Sequence, residues 1–244
     1  MLTVNTQKFI YLIIIIISII ICISLFWIKN PPFKLKKSDN QGPEREIRYV
    51  SIGDSYTSGL GIDEKKNWPN LLVNHLRKEG INVSLIANPA VSGFTVRDAI
   101  EHELPIVEKL RPDFITVLIG ANDNFMETNR EDYRRDLGEL LDKLQSSLKE
   151  SKNIILITIP DYSKSPTIQG SGRIDMIDFI ASYNSIIMEE GKRRGLEVAD
   201  IFPVSQTMTE SVDYISDGLH PSPRGYSKWE KIIFPVVYDF LANL

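Results

Sequence analysis

Two hydrophobic patterns divide this chain: one long apolar run near its start, and then short apolar runs that alternate with amphipathic stretches. From Glu46 onward the short runs are rich in β-branched residues and continuously apolar, which is typical of strands covered on both faces of a parallel sheet. They predict five strands: Ile47–Ile52, Val83–Ala87, Phe114–Ile119, Ile154–Ile159 and Leu196–Ile201. The stretches with helical spacing predict five helices: Trp68–Arg77, Val96–Leu110, Glu131–Lys149, Met176–Arg194 and Tyr226–Leu241.

Five strand–helix units predict a three-layer α/β domain with right-handed crossovers. One long irregular segment, residues 161–174, is rich in Ser, Pro and Gly and follows a predicted strand. Open α/β sheets build their sites at the carboxyl ends of strands, which makes this segment a candidate lid. A solvated surface loop is the simpler interpretation of the same composition.

The long apolar run, Phe9–Ile28, predicts a membrane-spanning helix. Its 20 residues carry no charge, and at about 1.5 Å per residue such a helix matches a hydrocarbon core of roughly 30 Å. The run is longer than a typical signal-peptide core and no small-residue cleavage site follows it, which favours an uncleaved anchor. We therefore expect a short tail at 1–8, an anchor or uncleaved signal at 9–28, a linker at 29–46 and a globular domain at 47–244.

Charge is distributed unevenly between the two parts of the chain. Residues 1–48 contain seven basic and three acidic side chains, a net charge of +4, whereas the remainder has 21 basic and 29 acidic side chains, a net charge of −8. An acidic body argues against a nucleic-acid partner, because sequence-independent binding requires a dense basic surface. Lys29, Lys34, Lys36 and Lys37 follow the apolar run, so the positive-inside rule alone favours a cytoplasmic domain.

The cysteine and histidine content limits the chemistry that the domain can perform. The single cysteine is Cys22, inside the apolar run, so the globular part has neither a thiol nucleophile nor a thiolate metal ligand. The three histidines are scattered, and the His-Glu-x-x-His motif is absent. We expect neither a metal site nor a cofactor.

Two short polar motifs follow predicted strands. In the first, Gly53–Gly59, a serine at the end of a strand would expose its Oγ and direct backbone N–H groups at a neighbouring anion. In the second, Gly120–Asp123, the side-chain amide of Asn122 could donate a hydrogen bond to a developing oxyanion. Taken singly, each motif is also compatible with an ordinary turn.

A third motif, Asp217–Pro221, contains a histidine that differs from the other two. A carboxylate precedes His220 by three residues. Within one turn this spacing can place Asp217 against one imidazole nitrogen and leave the other nitrogen facing a serine, as a general base requires. His75 and His102 stand among polar and charged residues and are predicted to lie on the surface.

Together these motifs resemble those of a known family. Gly53-Asp54-Ser55, Asn88-x-x-x-Ser92-Gly93, Gly120-x-Asn122-Asp123 and Asp217-x-x-His220 stand in the order and approximate spacing of the four sequence blocks of the SGNH hydrolases, the GDSL-type lipases and esterases. The resemblance covers about residues 47–235. It implies a flavodoxin-like fold with a five-stranded parallel sheet. Tyr56 departs from the GDSL motif, which has leucine at that position, and this affects the pocket shape rather than the reacting groups.

The resemblance also implies residue roles. Ser55 would be the nucleophile, His220 the general base and Asp217 its orienting carboxylate, while the backbone N–H groups of Ser55 and Gly93 and the Asn122 amide would form the oxyanion hole. We therefore expect a serine ester hydrolase acting on a small-molecule, lipid or glycan ester. Acyl specificity is expected to lie in loops 56–66 and 161–174.

Two alternatives remain. One is an O-acetyl esterase or acetyltransferase acting on cell-surface glycans, and the other is a membrane-anchored binding module without activity. The resemblance favours an extracellular domain, in contrast to the charge rule.

Overall fold

The computed structural model describes residues 45–171 and 176–243. The predicted tail and anchor, and nearly all of the predicted linker, lie outside these ranges. Within the two described ranges, no helix is both long enough and apolar enough to cross a membrane.

A five-stranded sheet forms the centre of the domain, and all of its strand pairs are parallel. The strands are β1 (Ile47–Gly53), β2 (Val83–Ala87), β3 (Phe114–Leu118), β4 (Ile154–Ile157) and β5 (Glu197–Ala199). Their spatial order is β2-β1-β3-β4-β5. The predicted α/β class and five parallel strands are confirmed.

Three strands end earlier than their apolar runs predict: β3 at Leu118, β4 at Ile157 and β5 at Ala199. After Ala199 the backbone leaves the sheet, because the Thr158 side chain and not a neighbouring strand accepts the next hydrogen bonds. Thr158 Oγ1 accepts the N–H groups of Ile201, at 2.9 Å, and Phe202, at 3.2 Å. Ile159 and Ile201 are nevertheless fully buried. Their apolar character therefore reflects the core and not strand pairing.

Ten α-helical segments accompany the sheet in the part of the chain that the structure describes. They are α1 (Ser55–Ser58), α2 (Trp68–Lys78), α3 (Val96–Asp98), α4 (Leu104–Leu110), α5 (Ala121–Phe125), α6 (Arg130–Ser147), α7 (Pro166–Ser171), α8 (Met176–Arg194), α9 (Phe202–Ser205) and α10 (Pro223–Ala242). A π-helical turn, Ala99–Glu103, joins α3 to α4, so the single helix predicted over Val96–Leu110 is interrupted.

The core explains why the sequence shows continuous apolar runs. Every residue of β3 and β4 is buried, since helices cover the sheet. Polar side chains of β1 and β3 are paired inside the core: the Tyr49 hydroxyl lies 2.6 Å from Thr116 Oγ1, which lies 3.0 Å from Ser51 Oγ. Buried polar groups that are hydrogen-bonded in this way avoid most of the cost of leaving water.

The described part of the candidate lid, residues 161–171, is packed against the domain. Tyr162–Lys164 forms a 3₁₀ turn that Asp161 caps, and α7 follows directly. Tyr162, Ser165 and Ile168 are buried. These residues therefore form part of the wall of the domain.

Candidate active site

The strand order places a cleft between β1 and β3. The connection after β1 leads to β2 on one side of the sheet, whereas β3 lies on the other side of β1. Open parallel sheets bind ligands at such a switch point, beyond the carboxyl ends of the strands. Gly53 is paired with Leu118 there, so the chain segments after both strands meet at one edge of the sheet.

Ser55 lies at the first position of α1, directly after β1. The Asp54 side chain caps this short helix by accepting the Tyr56 N–H at 2.9 Å, and Gly59 ends it in the left-handed conformation. A capping carboxylate fixes the first turn of a helix, and thereby the backbone N–H of Ser55. Ser55 is 6% exposed, so its hydroxyl lies at the base of a recess rather than on the surface.

Ser55, His220 and Asp217 form one hydrogen-bonded chain. The Ser55 Oγ lies 2.9 Å from His220 Nε2, and His220 Nδ1 lies 2.6 Å from Asp217 Oδ2. Nucleophile, base and orienting acid require these contacts in this order. The structure thus brings Ser55 to a turn that lies more than 160 residues further along the chain, His220 being 165 positions away.

Local hydrogen bonds fold the turn that carries Asp217 and His220. Asp217 Oδ1 accepts the backbone N–H groups of Leu219, at 2.8 Å, and His220, at 3.0 Å. Partial burial by itself would raise the pKa of this carboxyl. The two backbone hydrogen bonds and the imidazole stabilise its charged form more strongly, and together they hold the pKa of Asp217 below its usual range. The acid is therefore ionised at neutral pH, as an orienting carboxylate must be.

The predicted oxyanion donors lie around the same recess. Asn122 Nδ2 donates to the Phe94 carbonyl oxygen at 2.8 Å, which ties the amide to the segment that follows Gly93. Gly93 has φ = 88°, in the left-handed region, and a Cβ there would meet open space. Glycine is thus required by the backbone conformation, and the space beside it is free for a substrate.

A pocket of about 170 Å³ opens beside these groups. Its lining combines the predicted site residues with apolar side chains from several segments: Asp54, Ser55, Tyr56, Ser92, Gly93, Ala121, Asn122, Phe125, Tyr162, Leu219 and His220. Tyr56, the residue that departs from the GDSL motif, lines the wall and has its ring 5.5 Å from the His220 ring. His75 and His102 are not among the lining residues, and His75 instead contacts Glu230 at 2.8 Å.

Asp54 lines the pocket, and with Glu103 and Asp123 it forms a group of buried carboxyls to which the sequence interpretation assigned no role. Glu103 Oε2 accepts the Gly53 N–H at 3.1 Å, and Asp123 Oδ2 accepts the Val96 N–H at 3.1 Å. Burial is the main cause that raises the pKa of Asp54 to about 7, of Glu103 to about 8 and of Asp123 to about 6. The charge of Asp54 further raises the pKa of Glu103, and that of Asp123 further raises the pKa of Asp54. Glu103 stands in the charged stretch Glu101-His102-Glu103, whose composition resembles a surface.

The profile of one protein family matches most of the domain. Residues 51–228 match the GDSL-like Lipase/Acylhydrolase family. The chain belongs to this family. As a GDSL-like acylhydrolase it is a carboxylic ester hydrolase, which confirms the enzyme class predicted from the motifs.

Individual relatives of this GDSL-like acylhydrolase agree with that class. An arylesterase of Vibrio mimicus is 25% identical over 197 residues, covering 80% of this chain and 86% of the relative. An acetylxylan esterase of Xylanibacter ruminicola is 26% identical over 221 residues, covering 78% of this chain but only 43% of the relative. The crystal structure of a lipase/acylhydrolase from Enterococcus faecalis has the same fold, with a TM-score of 0.66 at 24% identity over 80% of this chain and 96% of that one.

Proposed function

We propose that Ser55, His220 and Asp217 are the catalytic triad of this ester hydrolase. His220 Nε2 accepts the proton of the Ser55 hydroxyl as Oγ forms a bond to the ester carbonyl carbon. The bond from that carbon to the alcohol oxygen then breaks, and Nε2 returns the proton to the departing alcohol. Water repeats the two steps on the acyl-enzyme and releases the acid.

The negative charge on the carbonyl oxygen is held by the Ser55 and Gly93 backbone N–H groups and the Asn122 amide. Two of these donors are held by bonds within the protein before the substrate arrives: Asp54 caps α1, which carries Ser55, and Asn122 is bonded to the Phe94 carbonyl. Donors that are already in place stabilise developing charge without reorganising during the reaction.

The observation that carries this proposal is the continuous hydrogen-bonded chain from Ser55 through His220 to Asp217. Ser55→Ala is expected to abolish turnover of p-nitrophenyl acetate and labelling by a fluorophosphonate probe while the circular dichroism spectrum stays unchanged. Ser185→Ala, at an exposed serine on α8, is the matched control and should keep both properties. Full turnover in the Ser55→Ala variant would overturn the triad, and a wild-type chain that neither reacts with the probe nor turns over would indicate the non-catalytic binding module.

For the acyl group we propose a short chain, of about the size of acetyl. The pocket measures about 170 Å³, and Tyr56, Phe125 and Tyr162 stand in its wall. Small-molecule sites that enclose drug-sized ligands typically measure roughly 300–1,000 Å³. We expect kcat/KM for p-nitrophenyl esters to fall steadily from acetate to octanoate. Equal values for both esters would contradict the short-chain proposal.

A glycan O-acetyl ester is the second candidate substrate, supported by the small pocket and by the acetylxylan esterase among the relatives. Acetate release from an acetylated glycan, compared with fatty-acid release from a lysophospholipid, separates the two substrate classes. Transfer of acetyl to an added sugar acceptor, rather than to water, would indicate an acetyltransferase.

We further propose that Phe9–Ile28 anchors the enzyme in the cell membrane with its domain outside. The proposal rests on the length and charge-free composition of that run and on the family resemblance. The full chain should remain with membranes after an alkaline carbonate wash, and protease added to intact cells should remove the domain. A domain that resists protease in intact cells and is degraded after lysis would place it in the cytoplasm. A mature amino terminus found beyond residue 28 would instead show that the run is a cleaved signal and the enzyme is secreted.

A further inference from the structure

The turn that carries Asp217 and His220 depends on a contact from outside itself. Within the turn, hydrogen bonds join Gly218 N–H to the Ile215 carbonyl and Ile215 N–H to the His220 carbonyl, both at 2.9 Å. The Asp217 side chain is nevertheless 39% exposed, so packing does little to hold it. The carbonyl groups of Asp217 and Gly218 point away from the turn and are bonded by another segment.

That segment is the start of α7, at Thr167. The Thr167 backbone N–H donates to the Gly218 carbonyl at 3.1 Å, and its Oγ1 donates to the Asp217 carbonyl at 2.5 Å. The two bonds come from one residue and reach two successive peptide groups, so they fix both the position and the tilt of the turn. Thr167 therefore holds the turn through two hydrogen bonds, one from its hydroxyl and one from its backbone amide.

The close contact between Thr167 and the turn requires a glycine at residue 218. Gly218 has φ = +67°, and a Cβ there would lie 2.9 Å from Thr167 Oγ1 and 3.3 Å from Pro166 Cβ. Any side chain at residue 218 would therefore push α7 away from the turn. Gly218 is thus required for the contact with Thr167 as well as for the conformation of the turn.

The segment that carries Thr167 is attached to the rest of the domain and has hydrogen bonds of its own. The Asp161 N–H donates to Ser205 Oγ at 2.6 Å, and the Gln169 side chain donates to the Ser163 carbonyl at 2.7 Å. Ile168, next to Thr167, is 4% exposed and belongs to the main core. Thr167 therefore connects the Asp217–His220 turn to a segment that Ile168 anchors in the core.

We propose that Thr167 is a positioning residue, which holds the Asp217–His220 turn so that the imidazole stays aligned with Ser55. This inference rests on the proposed triad. Thr167 is not among the residues that line the pocket, so its loss should change the rate of the chemical step and not substrate binding. A single hydrogen bond is worth about 0.5–1.5 kcal/mol, which corresponds to a roughly two- to tenfold change in rate.

The test uses the full chain with p-nitrophenyl acetate. Thr167→Val keeps the shape of the side chain but loses the hydroxyl donor, and we expect kcat to fall about two- to tenfold with KM unchanged. Thr167→Ser keeps the donor and should restore kcat to near the wild-type value. Thr207→Val is the matched control, because exposed Thr207 donates to the Val204 carbonyl at 2.7 Å, away from the turn, and it should leave kcat unchanged.

A Thr167→Val variant with wild-type kcat would overturn the inference, and so would a Thr167→Ser variant that loses as much activity as Thr167→Val. A rise in KM with constant kcat would also contradict a positioning role, since it would indicate a contribution to binding. Failure of the triad itself is recognised separately, because only then does Ser55→Ala retain turnover.

Discussion

At the scale of single residues, the most unusual feature is the burial of Asp54, Glu103 and Asp123 close to the proposed oxyanion donors. Each accepts a backbone N–H from a segment that shapes the site: Tyr56 beside Ser55 for Asp54, Gly53 for Glu103 and Val96 for Asp123. A carboxyl that is fully buried favours its neutral form, because the protein interior solvates charge poorly. The site is therefore supported by acids that are partly or largely protonated at neutral pH.

The raised pKa of Glu103, about 8 in the folded protein, predicts a pH-dependent stability. Between its usual value and 8 the folded state binds more protons than the unfolded state, so stability decreases as pH rises, by about 1.4 kcal/mol per pH unit for one group. Glu103→Gln stays neutral and can still accept the Gly53 N–H. Its Tm should fall less steeply between pH 5 and 8.5 than that of the wild type.

Glu101→Gln, at an exposed position on the same π-helical turn, is the control for the Glu103 experiment. It should show the wild-type dependence of Tm on pH. Parallel Tm curves for the wild type and Glu103→Gln would mean that Glu103 titrates in the folded protein as it does in water.

Asn122 provides a second prediction at the residue scale. Asn122→Ala removes one proposed oxyanion donor, and loss of such a donor typically lowers kcat about 100- to 1,000-fold. KM should change little, since the bond to the oxyanion forms mainly in the transition state. Kinetics on p-nitrophenyl acetate measure both parameters, and a kcat within twofold of the wild type would remove Asn122 from the oxyanion hole.

At the scale of elements, the approach of α8 to the sheet depends on a glycine. A Cβ on Gly191 would lie 2.5 Å from Val198 Cγ2 on β5 and 3.4 Å from the Leu196 carbonyl oxygen. The helix begins at Met176 and ends at Arg194, where Gly195 follows in the left-handed conformation. Its last turn is therefore pressed against the strand that comes after it, and this contact helps to fix β5 at the sheet edge.

Two glycine-to-alanine variants test this packing. Gly191→Ala should destabilise the fold by about 1–3 kcal/mol, the usual cost of overpacking, offset in part by the higher helix propensity of alanine. Gly138→Ala in α6 is the matched comparison, because its Cβ would come no closer than 3.8 Å to Arg194 Nη2. It should stabilise the protein by up to about 1 kcal/mol. Urea denaturation measures both, and equal effects of the same sign would show that packing at Gly191 is not tight.

At the scale of the whole molecule, the domain from Arg45 onward contains a continuous core that reaches from Tyr49 to Leu241. Strand pairing starts at Ile47, which is in register with Val83. Arg45 adds an ion pair with Asp113 at 2.5 Å. Among the described residues, the contacts that build the Asp217–His220 turn and the pocket lie within this same domain.

A chain that starts at Arg45 is therefore expected to fold and to keep the kcat/KM of the full chain on p-nitrophenyl acetate. A chain that starts at Val50 should fail to fold, because it loses the three residues of β1 that pair with Val83, Ser84 and Leu85. Circular dichroism and the ester assay compare the two fragments. An unfolded Arg45 fragment would show that residues 1–44 are needed for folding.

The sequence was sufficient to predict those features that depend on local pattern. Continuous β-branched runs predicted the five strands, and helical spacing predicted the main helices, because burial of both faces or of one face imposes these periods directly. The family motifs pointed to Ser55, Asn122 and the Asp217-x-x-His220 spacing for a similar reason. The functional groups stand directly after strands or within a single turn, so their relation to the backbone is visible in the chain itself.

Only the tertiary structure decided which distant segments meet. The placement of β1 beside β3 joins the ends of strands that are more than 60 residues apart, and Thr167 reaches the Asp217–His220 turn 50 residues further along the chain. Glu103 stands in a charged stretch, yet it is buried because a π-helical turn directs it toward Gly53. Such contacts depend on long-range packing, which a local pattern of apolar and polar residues does not encode.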